Sequence, residues 1–154
     1  MKLNIVCAGK IREKWLNEGM DEYIKRLSRF CSVTVLEVPD APDYIPRAQA
    51  LEKEGQAMLS KIKSGAVVFI MDVNGKSMDS ETFSDHLMKA FEKGGAELYF
   101  LVGGSNGFSD SVIKRADQKI CFSDMTFTHC MARLILLEQC YRAFKIAANE
   151  TYHK

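Results

Sequence analysis

Short apolar, β-branched segments alternate along this chain with longer amphipathic ones, and this alternation limits the possible folds more than any other feature of the sequence. Five strands are predicted, at Lys2–Ala8, Ser32–Val38, Ala66–Val73, Glu97–Val102 and Lys119–Phe122. Helices are predicted between and after them, at Trp15–Phe30, Arg47–Lys63, Ser80–Lys93, Ser109–Ala116 and Cys130–Ala148. Regular alternation of this kind predicts an α/β fold, in which a parallel sheet is flanked by helices on both faces.

The segments between these elements are short. All three prolines lie in Pro39–Pro46, which predicts a surface loop after the second strand. Asn74 and Gly75 are predicted to end the third strand as a turn, and Asp79 or Ser80 is the predicted N-cap of the third helix. No linker or repeat interrupts the 154 residues, so a single domain spanning 1–154 is predicted.

The composition excludes several classes of protein. At 47% hydrophobic residues the chain can build a core, and a formal net charge of +1 argues against a strongly basic nucleic-acid clamp. The five cysteines include no Cys-x-x-Cys pair, so neither a disulfide framework nor a metal site is predicted. The longest mostly apolar run, Ala66–Met71, is far shorter than the roughly 20 residues of a membrane span. We therefore expect a cytoplasmic protein with no membrane association.

Three segments follow the predicted ends of strands, where ligands bind in open α/β sheets, and they are residues 71–75, 103–107 and 123–129. Three glycines in Gly103–Gly107 allow either close approach of a ligand to the backbone or simply a tight turn. Neither a P-loop nor a Gly-x-Gly-x-x-Gly fingerprint is present, which argues against nucleoside triphosphate and dinucleotide binding.

The last helix and the tail carry further polar candidates. Glu138, Arg142, Lys145 and Asn149 are spaced to share one helical face, which is either a solvated surface or part of a site. The terminal Tyr152-His153-Lys154 combines an aromatic ring, an imidazole and an ammonium. Such groups can stack on a nucleic-acid base, move a proton or contact a phosphate.

Several motifs together resemble one family over essentially the whole chain. They are Ile5–Lys10, Glu52–Gly55, Leu101–Gly107, Phe122–His129, Arg133, Glu138–Ala143 and Tyr152–Lys154. This pattern is similar to that of the ribosomal RNA large subunit methyltransferase H family, SPOUT-class enzymes that methylate N3 of a pseudouridine in 23S rRNA. One departure is Thr128, where the family usually has proline before the histidine.

The resemblance implies a C-terminal deep trefoil knot, although true knots are essentially absent from other folds. It also implies that the loops of this knot bind S-adenosylmethionine. Transferred residue by residue, the implied cofactor contacts are Met71, Gly104, Ser123, Asp124, Met125, Thr126, Phe127 and Thr128. They fall in the same three segments that follow the predicted strands.

The resemblance further implies the reaction and its partners. The sulfonium methyl is already activated, so the protein mainly aligns N3 with it, and no covalent cysteine is required. His153 or Tyr152 is expected to accept the N3 proton or to position the base, and Arg133 and Arg142 to contact RNA phosphate or the pseudouridine carbonyls. The expected assembly is a homodimer that acts on the helix 69 region of 23S rRNA in the assembled ribosome, through a composite surface of two protomers.

Two alternatives remain open at this point. One keeps the knot and the cofactor but has tRNA or another rRNA nucleotide as its target. The other is a dimeric ribosome-binding module without catalytic activity, which the Thr128 departure leaves possible. Cofactor binding separates the second alternative from the enzymes, and identification of the methylated nucleoside separates the two targets.

Overall fold

The computed structural model describes residues 1–42 and 44–152, and within them five strands alternate with five helices. The strands are β1 Lys2–Ala8, β2 Ser32–Val38, β3 Val67–Ser77, β4 Glu97–Val102 and β5 Gln118–Cys121. The helices are α1 Lys14–Leu27, α2 Arg47–Leu59, α3 Ser80–Lys93, α4 Asp110–Arg115 and α5 His129–Ala147. The predicted order of elements is therefore confirmed, with helix ends that differ by a few residues.

The strands form one sheet in the order β2-β1-β4-β3-β5, and every neighbouring pair is parallel. This confirms the predicted parallel sheet. Because all five strands point the same way, their carboxyl ends meet at one edge. β3 lies between β4 and β5, so the segments that follow these three strands are neighbours at that edge.

Each face of the sheet has its own core, because successive strand residues point to opposite sides. Leu3, Ile5 and Cys7 of β1 join one cluster with apolar residues of α1, α3 and α5. Val6 and Ala8 join a second cluster with residues of α2 and α4. The continuous apolar sequence of the central strands reflects burial on both faces.

The predicted end of β3 at Asn74-Gly75 is wrong. β3 continues to Ser77, and its pairing with β5 shifts register, so that Met71 and Lys76 both pair with Ile120 and the residues between them bulge out of the ladder. Gly75 lies against the β5 backbone, where an added Cβ would come within 2.6 Å of the Ile120 carbonyl carbon. The glycine is thus required by close backbone approach rather than by a turn.

We expect Gly75→Ala to destabilise the protein by about 1–3 kcal/mol, because the new methyl meets backbone that cannot move aside. Gly19→Ala is the matched control, since its Cβ would meet only the end of the Leu134 side chain, at 3.2 Å, and alanine favours a helix. Urea unfolding of both variants measures the difference. Equal stabilities would contradict the described pairing of β3 with β5.

Candidate functional site

A cavity of about 810 Å³ opens at the carboxyl ends of β3, β4 and β5. The three segments that the sequence singled out all line it, together with Ile120 at the end of β5 and His129 and Ala132 at the start of α5. Small-molecule sites usually measure roughly 300–1,000 Å³, so the cavity has the size of a site for a nucleoside-sized ligand.

The residues for which cofactor contacts were predicted lie in or beside this cavity. Those that line it are Met71, Gly104, Ser123, Met125, Thr126, Phe127 and Thr128. Asp124 belongs to the same loop but is exposed and does not line the cavity. A direct ligand contact by its side chain is therefore not supported by this arrangement, whereas its neighbours on both sides face the cavity.

The glycine segment after β4 is a tight turn that also forms one wall of the cavity. Gly104 and Gly107 form a bridge, and the Gly107 amide donates to the Gly104 carbonyl oxygen at 3.2 Å. Gly107 has a φ of +84°, and a Cβ on Gly103 would lie 2.8 Å from the Gly107 oxygen. The tight turn accounts for the glycines at these positions. The turn also lines the cavity, where its backbone can contact a ligand.

The loop after β5 is held by local hydrogen bonds. Ser123 Oγ accepts from the Met125 amide at 3.0 Å, and Thr128 Oγ1 accepts from the Met131 amide at 3.2 Å as the N-cap of α5. Threonine at this position therefore fixes the start of the helix with its own side chain. Met125 and Phe127 remain 75% and 41% exposed at the mouth of the cavity.

Arg133 is placed differently from the prediction. Its side chain is 0% exposed, and Nη2 donates to the carbonyl oxygens of Ala8 and Gly9, the latter at 3.0 Å. Nη1 lies 3.4 Å from Glu37 Oε1. The predicted contact of Arg133 with RNA is corrected, because a fully buried guanidinium does not face an RNA phosphate. Its role in this chain is to fasten α5 to the end of β1.

Arg142 and Tyr152 form a cluster around Glu138. Arg142 Nη2 donates to Glu138 Oε1 at 2.6 Å, and the Tyr152 hydroxyl donates to the same oxygen at 3.2 Å. The Arg142 guanidinium also lies 4.7 Å from the centroid of the Tyr152 ring. Burial, and then the hydrogen bonding around it, raises the pKa of the Tyr152 phenol above its usual range. This hydroxyl is accordingly a proton donor at neutral pH, which argues against Tyr152 as a base.

This Glu138 cluster is not close to the cavity of the same chain. Arg142 lies more than three turns beyond His129 on α5, roughly 20 Å away at 1.5 Å per residue. His153, the other predicted base, lies outside the described residues, as does Lys154. One chain therefore brings together the predicted cofactor residues but keeps Arg142 and Tyr152 apart from them.

Two further residues belong to the site: Glu138, which the sequence placed on a polar helical face without assigning it a role, and Arg47, which the sequence did not single out. Glu138 holds the cluster together, and it also accepts from Gln139 Nε2 at 2.6 Å. Its spacing of four from Arg142 was the available signal. Arg47, at the start of α2, lines the cavity and donates to the Asn106 carbonyl oxygen at 3.2 Å. No motif in the sequence connects α2 with the glycine turn.

The cysteines are free thiols. Burial raises the pKa of Cys7 to about 12 and that of Cys31 to about 11, so both stay protonated at neutral pH. Across residues 1–42 and 44–152 no His, Cys, Asp and Glu side chains are grouped to hold a metal ion. In the same residues, no helix has the length and apolarity that a membrane crossing requires.

Comparisons with known proteins agree over the full chain. A family model described as "Predicted SPOUT methyltransferase" matches residues 1–153. The protein "Ribosomal RNA large subunit methyltransferase H 1" of Clostridium perfringens (strain SM101 / Type A) is 46% identical over 159 aligned residues, which cover 100% of both chains. "Ribosomal RNA large subunit methyltransferase H" of Enterococcus faecalis (strain ATCC 700802 / V583) is 43% identical over the same span, again with 100% coverage of both chains.

Solved structures give a weaker likeness. The SpoU methyltransferase AviRb from Streptomyces viridochromogenes, in complex with the cofactor AdoMet, superposes with a TM-score of 0.45 at 11% identity. The superposition covers 97% of this chain and 61% of that one. The sequence relatives are the stronger finding, because their similarity extends through every element of the fold.

The buried position of Arg133 makes a testable prediction. We expect Arg133→Met to destabilise the protein by about 3 kcal/mol, because it leaves the Ala8 and Gly9 carbonyl oxygens buried without their donor. Lys14→Met is the control, since its pair with Glu18 is exposed and worth less than about 1 kcal/mol. Chemical denaturation compares the two. An Arg133 variant as stable as the control would show that the guanidinium does not fasten α5.

Proposed function

Because the chain belongs to the ribosomal RNA large subunit methyltransferase H family of SPOUT methyltransferases, we propose that it methylates N3 of a pseudouridine in 23S rRNA, using S-adenosylmethionine. The target is the helix 69 region of the assembled ribosome, in the cytoplasm. The observation that carries the proposal is the cavity, where the bulged residues of β3 meet the segments that follow β4 and β5.

The lining of the cavity fits this cofactor. Met71, Val102 and Ile120 offer apolar side chains for a flat heterocycle, and residues 123–128 offer backbone groups that can bond its edge. The bound cofactor supplies an activated methyl group on a sulfonium. The chain's own part is to hold that group, exclude water and align the acceptor nitrogen.

The family's trefoil knot is part of the proposal. α4 packs on the same face of the sheet as α2, whereas α5 packs on the opposite face with α1 and α3. Between them the chain passes through β5, on the far side of β3 from β4. Membership of the SPOUT methyltransferase family supports a knotted path for this passage.

The acceptor side of the site is proposed to come from a second copy of the chain. Arg142 lies roughly 20 Å from His129 along α5, Tyr152 bonds to Glu138 on the same helix, and neither lines the cavity of its own chain. A homodimer brings the Glu138 cluster of one protomer to the cavity of its partner. Arg142 then contacts the phosphate or the carbonyls of the target, and the protonated Tyr152 donates a hydrogen bond.

The proton balance assigns a role to the tail. N3 of the target would lose its proton on accepting the methyl group that the cofactor would supply. Tyr152 keeps its own proton at neutral pH, which leaves His153 as the residue proposed to accept it. Cys7 and Cys31 remain protonated and take no part.

The charge distribution favours the ribosome over naked RNA. Of the basic residues around α1, Lys14, Arg26 and Arg29 form ion pairs with Glu18, Glu22 and Glu150. At physiological ionic strength, a chain of net charge +1 with such pairing gains little from counterion release on naked RNA. An assembled ribosome offers a larger, shaped surface to both protomers.

The test is transfer of labelled methyl from S-adenosylmethionine to ribosomes, separate subunits and naked 23S rRNA, all lacking the modification, followed by identification of the nucleoside. We expect N3-methylpseudouridine, formed on assembled ribosomes. Label in another rRNA nucleotide or in tRNA would support S-adenosylmethionine as the cofactor and contradict the proposed target nucleotide. Cofactor binding without label would instead indicate a ribosome-binding module.

Arg142→Ala should lower kcat on ribosomes roughly 100-fold, because it removes a charged contact to the target. Its affinity for S-adenosylmethionine should not change, since Arg142 is assigned a contact to the target and none to the cofactor. Lys89→Ala, at an exposed position on α3, is the control and should have wild-type activity. Unchanged methylation by the Arg142 variant would contradict its assigned contact.

A further inference from the structure

The sole tryptophan of the chain is exposed, which is unusual for so large an apolar side chain. Trp15 lies in the first turn of α1 with 59% of its surface accessible. Other large apolar side chains that remain exposed include Val73, Met125 and Phe127, and these three line the cavity. Part of the exposed apolar surface of the described residues therefore lies at the cavity edge, whereas Met1 and Tyr44 are exposed and do not line the cavity.

Contacts between the two helices place Trp15 near that edge. α1 packs along α5 in the same direction, since Gly19 lies against Leu134 and the Tyr23 ring centroid is 6.3 Å from that of Tyr141. The first turn of α1 is therefore beside the first turn of α5, where His129 lines the cavity. Burial raises the pKa of the Cys130 thiol, and the nearby Glu13 carboxylate raises it as well, which agrees with this placement.

The charges around Trp15 favour a polyanion as its partner. Lys10, Arg12 and Lys14 are all exposed within five residues of it, and the acidic residues in the same range are Glu13 and Glu18, which leaves an excess of positive charge. The ion pair of Lys14 with Glu18 is long, at 3.6 Å, and exposed, so it yields readily to a phosphate. An exposed aromatic ring flanked by cations is the usual surface for unstacked RNA bases.

We propose that the indole of Trp15 stacks on a single-stranded base of the RNA next to the target nucleotide, while Lys10, Arg12 and Lys14 contact the adjoining phosphates. This inference rests on the proposed function, because it assumes that RNA approaches the cavity. It adds a residue that recognises the acceptor strand and leaves cofactor binding to the cavity.

Two substitutions at this position separate stacking from apolar bulk. Trp15→Phe keeps an aromatic face, whereas Trp15→Leu keeps only apolar volume. We expect Trp15→Leu to raise the KM for ribosomes about tenfold, and Trp15→Phe to stay within about threefold of wild type, as base stacking on an aromatic ring predicts. Affinity for S-adenosylmethionine and sedimentation should not change. Tyr44→Leu, another exposed aromatic position, is the matched control.

Fluorescence gives a readout that does not depend on methylation. Because Trp15 is the sole tryptophan, the emission of the wild-type chain reports this site alone. We expect saturable quenching by a short single-stranded RNA at low ionic strength, and none by a duplex of the same sequence, whose base faces are covered.

The outcomes distinguish this inference from the proposed function. Absence of quenching, or a Leu variant with wild-type KM, would overturn the role of Trp15 even if ribosomes are methylated. Sedimentation of the Leu variant as a smaller species would assign Trp15 to the contact between copies instead. Quenching without any methyl transfer would support RNA stacking and contradict the proposed function.

Discussion

The position of β3 between β4 and β5 is the constraint on which the site depends. Parallel pairing on both sides of β3 brings its bulged residues and the segments that follow β4 and β5 to one edge, although almost 50 residues separate the first from the last in the sequence. The bulge between Met71 and Lys76 lets β3 pair with β5 on both sides of the residues that line the cavity. Gly75 permits this approach because a side chain there would meet the β5 backbone.

The buried guanidinium of Arg133 is the second fixed point. Its bonds to the Ala8 and Gly9 carbonyl oxygens fasten the start of α5 to the end of β1, next to the loop that Thr128 closes. The position of α5, which forms one wall of the cavity, is therefore fixed by groups from both ends of the chain. A polar anchor in this position also satisfies carbonyl groups that would otherwise be buried at the edge of the sheet.

Much of the fold could be predicted from local pattern. β1, β2 and β4 match the predicted strands to the residue, because each is a short apolar run bounded by turn-forming or charged residues. The N-caps of α3 and α4 are Asp79 and Ser109, residue types that favour this position because their side chains accept the amide hydrogen three residues on. The strand-end segments of the site were predictable for the same reason, since ligand sites in such sheets follow the carboxyl ends of strands.

The features that local pattern could not predict depend on contacts between residues distant in sequence. Asn74-Gly75 has the composition of a turn, but pairing with β5 makes it part of a bulged strand. Arginine is usually exposed, and the carbonyl oxygens that accept hydrogen bonds from the buried Arg133 lie more than 120 residues away in the sequence. The separation of Arg142 from the cavity follows from the length of α5, and it is the reason that a second copy enters the account.

The claim that two copies build one site is tested most directly by mixing two inactive variants. Thr126→Trp blocks the cavity of its own chain, and Arg142→Ala removes the acceptor contact. In a symmetric homodimer, half of the mixed assemblies contain one copy of each, and one of their two sites is intact. Variants refolded together are expected to recover about a quarter of wild-type methylation of ribosomes. If the whole site lay within one chain, the mixture would be no more active than the separate variants, and this result would contradict the shared site.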